Sequence, residues 1–285
     1  MRHKTETVNG VSIYYREAGR PGLPKLLLLH GFPASSHQYR HLIAELSDSF
    51  HIIAPDYPGF GNSDMPDPSK YSYTFDSAAA SIEGLLSALD FTKFGLYVQD
   101  YGGPVGFRIL DKHPEWLEWL VIQNTNAYVN GFTEVWDGLR NAYWKDRSKK
   151  NEEAIGAFLE PDTIKTIYLH GHDDPAAISP DNWQMDNHFL EREGARQVQL
   201  DFFYDYRTNV ELYPKWQAFL RDHRPKTIIF WGMGDIFFTP AGGREYLKDL
   251  PEAEFHPLQS GHFALEDNLE FIAGKMRDFY SGLNK

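Results

Sequence analysis

The sequence predicts an α/β chain, a mostly parallel sheet flanked by helices and interrupted by a helical insertion. Three observations predict it. Short β-type runs alternate with helical patterns through residues 1–125, aromatic-rich helical pieces without strand alternation fill 126–214, and the alternation resumes over 215–285. Strands alternating with helices build a parallel sheet covered on both faces. At 285 residues the chain exceeds the usual ~150 per domain, but α/β cores routinely run longer. The expected organisation is therefore one core, made of 1–125 and 215–285, with 126–214 inserted as a helical lid.

Taken in order, strands are expected at 11–17, 25–29, 51–54, 94–98 and 120–123. Leu26-Leu27-Leu28-Leu29 is continuously apolar, as a strand buried on both faces must be. Helices are expected at 37–46, 75–89 and 103–112, the last ending before Pro114 because a helix rarely continues into the residue preceding proline. The insertion carries Trp136, Tyr143, Trp144, Trp183 and Phe189, broken by His170-Gly171-His172-Asp173-Asp174-Pro175 and Ser179-Pro180-Asp181. Within it, Lys145-Asp146-Arg147-Ser148-Lys149-Lys150 reads as a solvated helix face. Beyond it come a strand at 226–231, a helix at 243–250, a strand at 254–258 and a closing helix at 268–281.

Composition narrows the function classes. Apolar residues make up 42% and aromatics 15% of the chain, enough for a large core. The net charge of −12 disfavours nucleic acid, whose phosphates reward Lys and Arg. There is no cysteine, which excludes disulfides, thiolate metal sites and a Cys nucleophile. The N-terminus lacks an apolar signal region and no stretch approaches the ~18 apolar residues of a membrane span. A cytoplasmic protein is expected, a monomer or a homodimer, with no membrane partner.

The chemistry centres on Leu96-Tyr97-Val98-Gln99-Asp100-Tyr101-Gly102-Gly103, where an apolar run breaks at two glycines and a helical pattern begins. A sharp strand-to-helix turn projects its central side chain above the sheet edge as a nucleophile. Here that residue is Asp100. A carboxylate attacks carbon through oxygen and gives an alkyl ester, which suits epoxide opening or halide displacement better than acyl transfer. Three further signals complete the set. The loop Leu29-His30-Gly31-Phe32-Pro33 can aim the Phe32 backbone N–H at developing charge, and with the Tyr101 N–H forms an oxyanion hole. Asp235 follows a strand in Phe230-Trp231-Gly232-Met233-Gly234-Asp235, at the carboxyl edge where α/β sites lie. His262 stands in the small-residue turn Gln259-Ser260-Gly261-His262-Phe263. The order nucleophile, acid, histidine is that of the α/β-hydrolase fold.

His30-Gly31-Phe32-Pro33, Asp56-Tyr57-Pro58-Gly59-Phe60-Gly61-Asn62-Ser63-Asp64, Val98-Gln99-Asp100-Tyr101-Gly102-Gly103, Trp231-Gly232-Met233-Gly234-Asp235 and Ser260-Gly261-His262-Phe263 together resemble the α/β-hydrolase-fold epoxide hydrolases and their haloalkane dehalogenase relatives. The resemblance covers nearly the whole chain, least clearly in the insertion. It implies that Asp100 forms an ester and that His262, held by Asp235, activates the water that hydrolyses it. No cofactor and no metal are expected. An adjacent imidazolium and backbone donors are expected to keep the Asp100 pKa from rising.

The first step depends on the insertion, because epoxide opening asks for a phenol O–H and halide expulsion for N–H donors. Tyr206, before Arg207, resembles an epoxide hydrolase tyrosine that donates to the epoxide oxygen; Tyr143 lies at about the family's distance for a second, and Tyr128 and Tyr204 are fallbacks. Phe32 and Tyr101 stand where many haloalkane dehalogenases carry Asn and Trp. Fluoroacetate dehalogenases bind carboxylate with arginines that Tyr101 and Pro104 replace, and an acidic chain favours a neutral substrate. Gln99 departs from the His common before the nucleophile. The reading is hydrolysis of a small neutral apolar epoxide by water to a vicinal diol. The alternatives are haloalkane or haloacid dehalogenation with the same residues and, from another class, a non-catalytic small-ligand receptor. His170 and His172 suggest a metal cluster, but an extended loop would point them to opposite sides.

Overall fold

The computed structural model describes residues 1–283. Eight strands among them form one sheet, β1 (Arg2–Val8), β2 (Val11–Ala18), β3 (Lys25–Leu29), β4 (His51–Pro55), β5 (Phe94–Gln99), β6 (Leu117–Gln123), β7 (Thr227–Gly232) and β8 (Glu254–Leu258), in the order β1-β2-β4-β3-β5-β6-β7-β8. From β4 to β8 the pairing is parallel, and β1 and β2 close one edge antiparallel. In strands buried on both faces, successive side chains point to opposite sides. Leu27, Leu29, Leu96, Val98, Leu120 and Ile122 accordingly join one core, and Leu26, Leu28, Tyr97, Trp119 and Val121 the other.

Helices α1 (Arg40–Leu46), α2 (Phe75–Ala88) and α3 (Gly102–Lys112) connect the early strands. Between β6 and β7 the chain is helical: three short turns, then α4 (Lys149–Ile155), α5 (Pro161–Leu169), α6 (Asp181–Leu190) and the 29-residue α7 (Ala195–His223). Helices α8 (Pro240–Asp249) and α9 (Leu269–Leu283) complete the order. Arg108 of α3 is buried and binds Asn209 at 2.6 Å and Thr208 at 3.0 Å on α7, and Asp76 of α2 at 2.6 Å. These bonds fasten α7 to the helix that follows the Asp100 turn.

The structure departs from the sequence expectation in four places. Strand β1 was not expected, because its RHKTETV is almost wholly polar; as an edge strand it needs no apolar face, and the Asn9-Gly10 turn, both residues at positive φ, was the signal for its hairpin. Helix α8 begins at Pro240 rather than 243, with the Thr239 side chain accepting from the Gly242 N–H at 3.1 Å and Pro240 in the first turn. The boundary expected at 214/215 falls inside α7, which runs on through Pro214 because Tyr206, Asn209, Tyr213, Trp216 and Leu220 bury one continuous face. Residues 145–148 lie outside the helices; Arg147 there pairs with Asp201 of α7 and, at 3.0 Å, with Glu152 of α4, so this stretch is tied down rather than a free helix face. No helix among the described residues is long and apolar enough to cross a membrane.

Candidate active site

Asp100 directly follows β5 and is separated from α3 by Tyr101 alone, at φ +47. That left-handed backbone is strained for most side chains but open to Asp, and the neighbours that hold it are visible. The Asp100 carbonyl accepts from Thr125 Oγ1 at 2.6 Å and from the Gly103 N–H at 3.1 Å, while its own N–H donates to the Asn124 carbonyl at 3.1 Å. Gly103 is required at the turn, since a β-carbon there would run into the Thr125 side chain.

The turn brings Asp100 under the loop after β3. The Phe32 N–H donates to Asp100 Oδ1 at 2.7 Å, and the Tyr101 N–H bonds the same carboxylate. Both backbone donors expected for an oxyanion hole thus already hold a carboxylate oxygen. Burial pushes the Asp100 pKa up to about 6, against the opposing pull of His262 and of the Phe32 and Tyr101 N–H groups. This corrects the expectation that those groups would keep it from rising: the carboxylate is only 4% exposed, and desolvation outweighs them.

His262 follows β8 and is wholly buried. Its Nδ1 lies 2.9 Å from Asp235 Oδ2 and its Nε2 3.9 Å from Asp100 Oδ2. Burial pulls the imidazole pKa down, but the Asp235 charge and hydrogen bond and the Asp100 charge outweigh it, so the pKa is raised. Asp235 is itself fixed by the Phe237 N–H at 2.7 Å on Oδ1 and by Asn124 Nδ2 at 2.7 Å on Oδ2. Asn124 also accepts from the Gly232 N–H at 2.8 Å and donates to the Gly232 carbonyl at 3.1 Å. Sequence reasoning missed Asn124. Its signal was the polar run Asn124-Thr125-Asn126 directly after a buried strand, at the carboxyl edge where sites collect.

Beside Asp100 opens a cavity of about 340 Å³ counting its mouth. Its walls are Phe32, Tyr101, Val135, Trp136, Leu139, Phe158, Phe203 and Phe237, so apart from the carboxylate it is almost entirely apolar. The sequence places Trp136 among the insertion aromatics, and the structure makes it a wall of this cavity.

The expected tyrosines separate. Tyr206 packs beside this wall, its ring 4.5 Å from Trp136 and 6.0 Å from Tyr101, and its hydroxyl meets that of Tyr213 at 3.4 Å. Burial raises the pKa of both phenols, and the Asp100 charge adds to the rise. Tyr213, one further turn pair along α7, was not singled out from the sequence. Tyr143 is not brought to Asp100: its hydroxyl donates to Glu152 at 3.1 Å and to the Leu200 carbonyl at 3.1 Å, because Arg147 and Glu152 offer it polar partners on the far side of α7. Tyr128 donates to Asp249 at 2.6 Å. The indole N–H groups of Trp136 and Trp144 are bonded to the Phe237 and Phe203 carbonyls at 3.0 and 2.8 Å.

The 170–174 loop packs against both site loops, Gly171 on Gly234 and the His170 carbonyl on Gly261. His172 Nδ1 bonds Asp267 at 2.7 Å, and among the described residues no group of three or more His, Asp or Glu is placed to hold a metal ion.

Residues 24–269 match the model of the alpha/beta hydrolase fold family. The chain belongs to that family. It is 38% identical over 282 residues, 98% of this chain and 97% of the relative, to an uncharacterized hydrolase of Saccharomyces cerevisiae. It is 27% identical over 275 residues to a haloalkane dehalogenase of Psychrobacter cryohalolentis, covering 94% of this chain and 86% of that one. The solved structure of the epoxide hydrolase CorEH superposes with a TM-score of 0.80 over 99% of each chain at 20% identity. The protein is thus a hydrolase of the α/β-hydrolase superfamily whose likeness is to the dehalogenases and epoxide hydrolases.

Proposed function

We propose that this α/β-hydrolase opens a small, neutral, apolar epoxide to a vicinal diol through an ester on Asp100, with residues between β6 and β7 acting as the lid. One observation carries the choice of electrophile. The indoles of Trp136 and Trp144 are both spent on backbone carbonyls, leaving neither to hold a departing halide, whereas the Tyr206 and Tyr213 hydroxyls lie within the field of the Asp100 charge with each other as partner. A phenol kept protonated by burial is an acid suited to an alkoxide leaving group, and useless as a base.

In the first step Asp100 Oδ2 attacks an epoxide carbon, the carbon–oxygen bond breaks, and Tyr206, supported by Tyr213, protonates the released oxygen. Asp100 Oδ1 stays on the Phe32 N–H, with the Tyr101 N–H on the same carboxyl, so the ester carbonyl forms beside its oxyanion-hole donors. In the second step His262 Nε2 takes a proton from water, whose oxygen adds to the ester carbon; the tetrahedral intermediate collapses as His262 returns that proton to the departing Oδ2, which becomes the new hydroxyl of the diol, and the proton left on the Asp100 carboxyl restores the Tyr206 phenol. Asp235, bonded at Nδ1, orients the imidazole and balances its charge. The oxygen from water therefore ends in Asp100.

A single turnover in ¹⁸O-labelled water tests this order, followed by mass spectrometry of the Asp100 peptide. Label in the carboxylate is the expected result, and its absence overturns the ester route. Product assays on a neutral terminal epoxide and the matched haloalkane then decide the electrophile: diol from the former supports the reading, and halide release with no diol reverses it.

A further inference from the structure

Gln99, the last residue of β5, is wholly buried, and its side chain lies against the group that must act as base. Its Nε2 is 2.9 Å from His262 Nε2, and the same amide nitrogen approaches the His262 carbonyl at 3.5 Å. We propose that Gln99 is a positioning residue that holds His262 as the free base: its amide N–H occupies the Nε2 lone pair until the hydrolytic water takes that place. The role rests on the two-step reading above, in which His262 must be neutral to accept a proton.

The argument starts from tautomers. Nδ1 faces the Asp235 carboxylate, which only accepts, so Nδ1 carries a hydrogen. In the neutral ring Nε2 is then a bare acceptor, and an amide N–H is its complement. In the imidazolium Nε2 carries a hydrogen too, and that hydrogen would point at the amide N–H. Hydrogen bonding to one protonation state favours that state, so this contact opposes charging of the ring.

The surroundings show why opposition is needed. The charged groups facing His262 are Asp235, in the loop after β7, and Asp100, in the β5–α3 turn, and both are carboxylates that favour the imidazolium. Phe237, Phe238 and Phe263 present uncharged rings at 5.0, 5.9 and 5.1 Å. Behind the loop, His172 is paired with Asp267 and touches the backbone at Gly261. Gln123 donates to the His262 carbonyl at 3.3 Å and does not reach the ring. Among the described residues only Gln99 puts a donor on Nε2.

The other end of the amide fits this role. Gln99 Oε1 is buried without a hydrogen-bond partner, an arrangement that is normally disfavoured. Turning the amide half a circle would give Oε1 a partner only if His262 carried the Nε2 hydrogen. Oε1 and Asp100 Oδ1 both lie over Gly31, 2.7 and 2.6 Å from where a β-carbon would sit, so the missing side chain leaves the amide the space it occupies. The unpartnered oxygen is thus available to accept the second hydrogen of the incoming water.

The test is the titration of His262 in the ¹⁵N-histidine-labelled protein, followed through its ring nitrogen shifts and assigned by the signal lost in His262→Gln. Above the His262 pKa the native protein is expected to show a non-protonated, hydrogen-bonded Nε2. Gln99→Met, which keeps the length and removes the amide, is expected to raise the His262 pKa by about one unit, the size of one neutral hydrogen bond. Gln99→Glu, which replaces the donor by an acceptor, raises it further and serves alone if the Met variant does not fold. An unchanged or lowered pKa in a folded variant, or a neutral native ring whose Nε2 shows no hydrogen bond, overturns the proposal. The pH at which the trapped Asp100 ester hydrolyses at half its maximal rate should move by the same amount, and a rate loss with no such movement counts against it. If no epoxide forms an ester at all, the functional reading fails while the nitrogen shifts still judge Gln99.

Discussion

Replacing Asp100 by Asn should stabilise the protein while abolishing turnover. The ionised carboxylate is buried at 4% exposure, and its pKa stands at about 6 against an ordinary 3.8. That displacement corresponds to at most about 3 kcal/mol by which the fold disfavours the anion. Asn retains what else the position requires: it tolerates positive φ, and its Oδ1 still accepts from the Phe32 N–H. The pH dependence has a definite sign. Because the folded pKa lies above the unfolded one, native Asp100 destabilises fully above about pH 6 and not at all below the unfolded value, so the advantage of Asn shrinks as acid is added. Urea denaturation of both proteins at pH 8 and pH 5 measures it. The expected gain is about 3 kcal/mol at pH 8, with a melting temperature roughly 5 °C higher, and about half that gain at pH 5. A gain that is the same at both values, or an Asn variant less stable at pH 8, would refute the argument that burial sets this carboxyl.

His262→Gln should stop the second step alone, so that the intact mass after exposure to an epoxide rises by one substrate molecule and stays there. The rate of ester formation in that variant should fall with decreasing pH at a midpoint above about 6, because removing His262 also removes the charge that holds the Asp100 pKa down; a flat profile in a stopped-flow titration would contradict the assignment of the nucleophile. Asn124→Ala removes the Asp235 Oδ2 donor and both bonds to Gly232, and is expected to cost about 3 kcal/mol in chemical denaturation together with slower ester hydrolysis. Tyr206→Phe should lower epoxide opening more than tenfold in single-turnover kinetics, whereas Tyr143→Phe, far from Asp100, should leave that rate within about twofold.

What could be read in advance followed from how local each signal was. Asp100, Asp235 and His262 each stand where an apolar strand gives way to small or polar residues, so a few neighbours suffice to put them at the carboxyl edge of the sheet. Asn124 carries the same mark, and was passed over only because amides have no place in the usual nucleophile, acid and base scheme. The tyrosines are a different problem. Around Tyr206 the α7 sequence Phe202-Phe203-Tyr204-Asp205-Tyr206 is aromatic on several faces, so helical periodicity does not say which ring looks inward. Tyr143 sits in a single π-helical turn, Leu139–Tyr143, where even the usual 3.6-residue spacing fails. Gln99 meets His262 across 163 residues, a contact that exists only once β5 and β8 share a sheet.

The cavity beside Asp100 is walled by rings from both the sheet loops and the inserted helices, with room as it stands for little more than one water molecule. Phe32 meets Phe203 edge-on at 4.8 Å, and Tyr101 stacks on Phe202 at 5.9 Å, so ring contacts join the two halves of the wall. A molecule larger than water would have to part such contacts to fill the inner end of the cavity. On the proposed reading, selection by size would be exercised at this door, so two compounds of equal chemical reactivity but different girth should differ in how fast they are captured rather than in how fast they are converted.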